Sequence, residues 1–183
     1  AHLLQTSVDD THIEGGAVSG DACRHYQLFD EDFARAAADG HNAHRLSLEW
    51  SRIEPEEGRC SDEALRHYRE VLEALRARRI EPVVTIHHYT IPRWLAEKGG
   101  WDSGEIEQYF IRYVKRVVAD YGDLVRWWIT LHEPVVQVFK GWLIGQWPPG
   151  RVGDYPRAFQ AIRHMLRAHV LAYHAIHEHR PDA

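Results

Sequence analysis

The chain has 183 residues, enough for one domain with a substantial core, and its 44% hydrophobic and 27% charged residues are ordinary for a globular protein. Its formal net charge of −5 gives no electrostatic basis for binding nucleic acid or an anionic membrane surface. No membrane-spanning apolar run and no signal peptide is visible, and there are only two cysteines, so we expect a cytoplasmic protein.

Short apolar segments alternate with longer amphipathic segments along the chain. The predicted strands are Leu3–Val8, His44–Glu49, Glu81–His87 and Val125–Leu131. The predicted helices are Phe33–Asp39, one that begins at Ser61, one capped by Asp102 or Ser103, and one that opens at Asp154 and ends before Pro181. The apolar stripe of the last helix is predicted to consist of Phe159, Ile162, Leu166, Val170, Tyr173 and Ile176.

This alternation predicts an α/β fold with parallel strands and right-handed crossovers. Four βα units are half of a (β/α)₈ TIM barrel, which normally needs about 250 residues. A small doubly wound sheet has the same alternation, so periodicity alone leaves both architectures open. Because no linker or internal repeat interrupts the pattern, we expect residues 1–183 to form a single domain.

Polar and aromatic residues follow each predicted strand. They are His12 and Glu14, Glu49 and Trp50, His87, His88 and Tyr89, and His132 and Glu133. In barrels the reactive groups lie at the carboxyl ends of the strands. Indole faces stack on sugar surfaces, while carboxylates and imidazoles bind hydroxyls, so this composition suits a polyol substrate. Strand ends also meet solvent, which would explain the same polar residues without any function.

Glu133 is the clearest candidate for a catalytic group. It directly follows a strand rich in aromatic residues and precedes Pro134, which restricts the local backbone. Apolar walls around a carboxyl favour its acid form, as general acid catalysis at neutral pH requires. The alternative interpretation is a glutamate that only caps the N-terminus of a helix.

Three long segments resemble glycoside hydrolase family 1, the β-glucosidases and β-galactosidases, in the order in which that family has them. They are HNAHRLSLEWSRIEPEEG at 41–58, VVTIHHYTIPRWLAEKGGW at 83–101 and WWITLHEPVVQVFKGWLIGQWPPG at 127–150. The resemblance extends over nearly the whole chain. It implies that the chain holds four βα units, the N-terminal half of a retaining β-glycosidase barrel.

The resemblance also implies roles for individual residues. Glu133 falls on the acid/base glutamate of the family's Thr-x-Asn-Glu-Pro segment. Arg45 falls on an arginine that orients and charge-stabilises the nucleophile, and His88 on a histidine that binds a sugar hydroxyl. Tyr89 takes the place of a tryptophan beside that histidine.

Further substrate-binding positions follow with less direct support. His12 falls on a glutamine of the family's first strand, and Trp142, like Trp50, is predicted to line the cleft. Trp147 is expected to be a structural loop residue.

Three departures from the family pattern bear on activity. His132 stands where the family has an asparagine that contacts the sugar 2-hydroxyl, and the loop after His12 is shortened to about Gly16–Ser19. The Glu-Asn-Gly segment that carries the family's nucleophile has no counterpart in these 183 residues. Because a retaining mechanism needs two carboxyls about 5–5.5 Å apart, we expect weak or no activity from this chain alone.

Half a barrel would expose two sheet edges and an apolar inner face. A complementary C-terminal half, a homodimer or aggregation could cover them, and we expect a homodimer.

The alternative function is a non-catalytic half-barrel scaffold, or a sugar-binding or metal-binding protein, that dimerises. A metal would need His12, His88 and His132, since His87 and His88 point to opposite faces of their strand. Hydrogen-bonded polar histidines are the favoured interpretation, and we expect neither a metal nor a cofactor.

Overall fold

A three-stranded parallel sheet forms the centre of the structure, a computed structural model that describes residues 20–183. The strands, in spatial order, are β1 (Ala43–Ser47), β2 (Glu81–His87) and β3 (Trp127–Leu131). Both neighbouring pairs are parallel, which confirms the predicted α/β class. The predicted strand Leu3–Val8 and the predicted site residue His12 lie outside the described residues.

Helices follow and flank the strands. They are α1 (His25–Ala38), α2 (Trp50–Ile53), α3 (Asp62–Ala77), α4 (Arg93–Glu97), α5 (Ile106–Tyr121), α6 (Pro134–Val138) and α7 (Tyr155–His179). A 3₁₀ turn occupies Gly100–Asp102, and a π-helical turn at Phe139–Leu143 continues α6. From residue 20 onward, no helix is both long enough and apolar enough to cross a membrane.

Of the predicted helix caps, Ser61 and Asp154 are confirmed, and the one at Asp102 or Ser103 is wrong. Ser61 caps α3 by accepting from the Ala64 amide at 3.2 Å, and Asp154 caps α7 by accepting from the Arg157 amide at 3.3 Å. Helix α5 begins only at Ile106, beyond both predicted caps. The Asp102 carboxylate instead accepts from the indole of Trp142 at 2.6 Å, so it joins the 3₁₀ turn to the π-helical turn.

Helix α1 is twice as long as the predicted Phe33–Asp39. In its first two turns Tyr26, Leu28 and Phe29 stand among polar and charged residues, a stretch too short for periodicity to identify it as a helix. Contacts with later parts of the chain stabilise these turns: Tyr26 stacks on His67 with ring centroids 3.7 Å apart, and Phe29 meets the same imidazole at 5.4 Å. Tertiary packing therefore sets the start of this helix.

The register of the sheet aligns the carboxyl ends of the strands. Thr85 of β2 is level with Ser47 of β1 and with Ile129 of β3. Strand β1 ends at Ser47, two residues before the predicted end, because Glu49 turns away to cap α2. The residues that follow the three strands therefore lie along one edge of the sheet.

The core lies between the sheet and the helices α3, α5 and α7. Trp50 belongs to it: the side chain is 1% exposed and stacks on Tyr113 with centroids 4.7 Å apart. Its indole donates to Glu54, a buried carboxylate that also accepts from Arg112. Trp50 is therefore a core residue, and the prediction that it lines a cleft is wrong.

The predicted apolar stripe of α7 is confirmed only in part, because the helix buries mainly small residues. Ile176 is buried and Ile162 partly buried, as predicted, but the other four stripe residues are exposed: Phe159, Leu166, Val170 and Tyr173. Met165 is fully buried together with Ala161, Ala168 and Ala172, whereas Phe159 is 72% exposed. Alanines allow α7 to approach α5 closely, and the larger side chains point away from that contact. A face of aliphatic and aromatic residues is left open to solvent on α7.

Substitutions on the two faces of α7 should differ sharply in their effect on stability. Met165→Ala leaves a cavity in the core, and we expect it to lower the free energy of unfolding by about 2–5 kcal/mol. Phe159→Ala on the exposed face should change it by about 0.5 kcal/mol. Urea denaturation followed by circular dichroism measures both. A larger loss for Phe159→Ala than for Met165→Ala would restore the predicted stripe.

Candidate active site

Five of the predicted site residues meet at the carboxyl ends of the three strands. They are Arg45, His88, Tyr89, His132 and Glu133, which we call the rim group. The imidazoles of His88 and His132 lie with ring centroids 4.2 Å apart. The parallel register brings them together, since His88 directly follows β2 and His132 directly follows β3.

The Glu133 carboxylate is held from two sides. The hydroxyl of Tyr89 donates a hydrogen bond to its Oε2 atom, and Nε2 of His132 lies 3.7 Å from the same oxygen. Partial burial, together with the hydrogen bond and the negative charge of Glu133, raises the pKa of Tyr89 to about 12. The phenol therefore keeps its proton and acts as a donor at physiological pH.

The Arg45 guanidinium determines which ring nitrogen of His132 carries the hydrogen in the neutral imidazole. It lies 3.1 Å from Nδ1 of His132, and a guanidinium has only donors, so Nδ1 must accept. In the neutral imidazole the hydrogen is then on Nε2, the nitrogen that faces Glu133. Arg45, His132 and Glu133 thus form a chain of polar contacts from β1 to the end of β3.

His88 is anchored on the opposite side by Ser47. The two side chains share a hydrogen bond of 2.7 Å between Oγ and Nδ1. Burial, assisted by nearby His132 and Arg45, lowers the pKa of His88. Ser47 is a residue of the candidate site that the sequence argument missed, although its place at the end of β1 could have indicated it.

Two residues of the rim group have left-handed backbone conformations. The φ angle is 70° at Tyr89 and 43° at Glu133, values that are unusual for residues other than glycine. Such conformations cost roughly 1–3 kcal/mol each and persist where the surroundings fix them. The strain therefore falls on the two residues whose side chains form a hydrogen bond with each other.

A buried glutamine of α6 fixes the Tyr89 backbone. Gln137 is 5% exposed, and its side-chain amide donates to the carbonyl of Tyr89 at 2.9 Å. Its oxygen lies 3.1 Å from Nε2 of His87, which is itself buried on the other face of β2. The opposite orientations of His87 and His88 were predicted and are confirmed. Nothing in the sequence pattern distinguished Gln137 from an ordinary helix residue.

Trp142 and Trp147 have the opposite of their predicted positions relative to the site. Trp142, predicted to bind substrate, is 3% exposed and packs in the core, where its indole donates to Asp102. Trp147, expected to be structural, is half-buried and lies against Tyr89 with ring centroids 4.7 Å apart. Trp147 is therefore the indole next to the rim group.

The rim group offers one carboxyl surrounded by hydrogen-bond donors and an aromatic wall. Within residues 20–183, no cluster of three or more His, Cys, Asp or Glu side chains has an arrangement that could hold a metal ion. Proton transfer by Glu133 and hydrogen bonding to hydroxyls are the chemistry these side chains can supply. Fold and site together define an α/β protein with a barrel-type parallel sheet and a polar site at its strand ends.

The chain belongs to glycosyl hydrolase family 1, because residues 6–183 match the sequence model of that family. It is 38% identical over 173 residues to β-glucosidase A of Thermotoga maritima, which covers 92% of this chain and 39% of that protein. It is 34% identical over 145 residues to a 6-phospho-β-galactosidase of Lacticaseibacillus casei, which covers 79% of this chain and 30% of that protein.

Solved structures agree with this assignment. A family 1 β-glucosidase from Thermotoga maritima superimposes with a TM-score of 0.91 at 36% identity, covering 96% of this chain and 40% of that one. A β-glycosidase from Pyrococcus horikoshii gives a TM-score of 0.82, covering 85% of this chain and 36% of that one. The chain thus corresponds to the N-terminal part of its relatives and spans 30–40% of the length of those named here.

The buried imidazole of His87 should make stability depend on pH. Burial lowers its pKa from 6.5 to about 4, so between these values the unfolded chain takes up a proton that the folded chain does not. Its contribution to stability is complete above pH 6.5 and falls by roughly 3 kcal/mol as the pH decreases to 4. We expect His87→Phe to flatten the curve of unfolding free energy against pH over this interval.

The matched control for this experiment is His174→Gln, at an exposed position of α7. Urea denaturation at a series of pH values gives both curves. Parallel curves for wild type and His87→Phe would contradict the assignment of this pH dependence to His87.

Proposed function

We propose that this chain carries the acid/base half of a retaining β-glycosidase site, with Glu133 as the group that protonates the glycosidic oxygen. The same carboxyl, once deprotonated, activates the water that releases the sugar. Arg45, His88 and His132 surround the position of the sugar ring and bind its hydroxyls. The proposed substrate class is β-glucosides and β-galactosides; the relatives are named as a β-glucosidase and a 6-phospho-β-galactosidase.

One observation carries this proposal: the Glu133 carboxyl stands at the end of β3 among donors and not in a helix cap. Its side chain makes no capping hydrogen bond to α6, although Glu133 occupies the N-cap position. It is 53% exposed and in contact with Tyr89 and His132. An exposed carboxyl on a strained backbone is poorly explained by a capping role and well explained by a reacting group.

A retaining reaction also needs a nucleophilic carboxylate about 5–5.5 Å from the acid/base. We propose that it comes from the part of the family barrel that these 183 residues do not cover. Arg45 is suited to hold it, because its guanidinium is exposed on β1 next to His132. Without that carboxylate, hydrolysis by the chain alone is expected to be weak or absent.

A chimera tests the role of Glu133. Residues 1–183 are joined to the portion of Thermotoga maritima β-glucosidase A that follows the matched segment, and hydrolysis of cellobiose and of 2,4-dinitrophenyl β-glucoside is measured. We expect Glu133→Gln to reduce kcat/KM for cellobiose by about 10²–10⁴. The reduction in kcat/KM should be much smaller for the dinitrophenyl substrate. Its leaving group departs without a proton, so cleavage of its glycosidic bond does not need a general acid.

Glu70→Gln, at an exposed position of α3, is the matched control and should leave both substrates unaffected. Equal losses on the two substrates would contradict a general acid and indicate a structural role for Glu133. An inactive chimera that folds would favour the non-catalytic scaffold interpretation. The isolated chain is measured in the same assay.

A second surface of the chain supports association with another chain. An open groove of about 600 Å³ lies between β3 and α7, lined by residues such as Ile129, Leu131, Leu166 and Tyr173. Strand β3 pairs with β2 along one edge and with no other strand among residues 20–183. An apolar groove beside a free strand edge is the kind of surface on which another chain adds.

For the isolated chain, we propose that a second copy covers this groove. Light scattering at tens of micromolar should give a mass of two chains or more, and Tyr173→Glu should shift it toward the monomer because it introduces a charge into the groove. Arg66→Glu, on the exposed side of α3, is the control and should not change the mass. A strictly monomeric wild-type chain would contradict the proposal.

A further inference from the structure

We propose that Tyr89 is a positioning residue that fixes the acid/base carboxyl of Glu133 through its phenol hydroxyl, and that it does not bind the sugar. The inference rests on the proposed role of Glu133. It departs from the sequence-based expectation, in which Tyr89 contacts substrate in place of a family tryptophan. Tryptophan has no hydroxyl, so the contact described below is a property of this chain.

The hydroxyl of Tyr89 is committed to Glu133. It donates to Oε2 of the carboxylate, and hydrogen bonds from a neutral donor to an ionised acceptor are among the stronger ones in proteins. A phenol has a single hydrogen to donate, so while this bond is made it has none for a sugar hydroxyl. The Tyr89 ring also lies between His132 and Trp147, with ring centroids at 5.4 and 4.7 Å.

The Tyr89 backbone is held independently of the side chain. Gln137, buried in α6, donates to the Tyr89 carbonyl at 2.9 Å and is itself anchored by His87 at 3.1 Å. Because α6 begins directly after Glu133, one short helix fixes the distance between the backbones of Tyr89 and Glu133. The left-handed conformations of both residues are the strained backbone that this arrangement maintains.

Charged and titratable groups from all three strands face the pair. They are Arg45 on β1, His88 after β2 and His132 after β3. His132 lies 3.7 Å from the same carboxylate oxygen that accepts from Tyr89. Any experiment on the Tyr89–Glu133 contact therefore has to separate the carboxyl from the imidazoles.

Fluorine NMR on the 183-residue chain labelled with 3-fluorotyrosine tests the contact directly. The Tyr89 resonance, assigned with Tyr89→Phe, should shift with pH as the Glu133 carboxyl titrates, and this inflection should disappear in Glu133→Gln. It should persist in His132→Asn. The resonance of Tyr155, which is 62% exposed, is the control and should be the same in all variants. An inflection that survives Glu133→Gln would overturn the proposal.

Kinetics of the chimera separate positioning from sugar binding. Tyr89→Phe should lower kcat on the order of tenfold with KM nearly unchanged, since it removes one hydrogen bond to a charged group. A raised KM with unchanged kcat would overturn the proposal in favour of sugar contact. If the chimera with an intact Glu133 is inactive, the proposed function fails, while the NMR result still decides whether Tyr89 holds the carboxyl.

Discussion

The parallel register of the sheet is the constraint on which the site depends. Thr85 is level with Ser47 on one side and Ile129 on the other, so the carboxyl ends of the three strands are aligned. Each strand delivers its next residues to the same edge, so His88 and His132, 44 positions apart in sequence, meet with ring centroids 4.2 Å apart. An antiparallel neighbour would send those residues to opposite ends of the sheet. The site is thus a consequence of strand direction first and of side-chain chemistry second.

The second requirement is a backbone that holds its strained conformations. Tyr89 and Glu133 both have positive φ, and the buried Gln137 ties the loop that contains one to the helix that follows the other. The polar atoms of Gln137 are paired with His87 and with the Tyr89 carbonyl, which offsets the cost of burying an amide. Because the buried imidazole of His87 has its pKa lowered to about 4, it stays neutral and keeps this anchor intact at neutral pH.

Sequence reasoning could place what depends on local pattern. The β-branched run of β2, the caps Ser61 and Asp154, and the opposed histidines His87 and His88 all follow from spacing alone, and all are confirmed. The predictions that are wrong concern which residues a side chain contacts in the folded chain. Trp142 and Trp147 are equivalent indoles in the sequence, but only the structure shows that one packs in the core with Asp102 and the other lies against Tyr89.

The prediction of the buried face of α7 is wrong at most of its positions for a related reason. Hydrophobic periodicity ranks large residues above small ones, so it selected Phe159 and Leu166 over the alanines that actually contact α5. Close helix packing favours small side chains, and the large ones are then left for a different neighbour. The exposed apolar side chains of α7 are consistent with the contact proposed above for the groove beside β3.

The contacts of His132 also depend on its neighbours and not on residue type alone. His132 stands where the resembled family has an asparagine. An asparagine amide offers one acceptor and two donors, whereas an imidazole in its neutral form offers one of each. Arg45 occupies the acceptor nitrogen of His132 at 3.1 Å, so only the donor on Nε2 remains, and it faces Glu133. A sugar hydroxyl that reaches His132 therefore has to accept from it, and it competes with the Glu133 carboxylate for that hydrogen. In the proposed site, sugar binding and the hydrogen bonding of the Glu133 carboxyl would therefore be coupled through this one nitrogen, a coupling that an asparagine with its two donors would not impose.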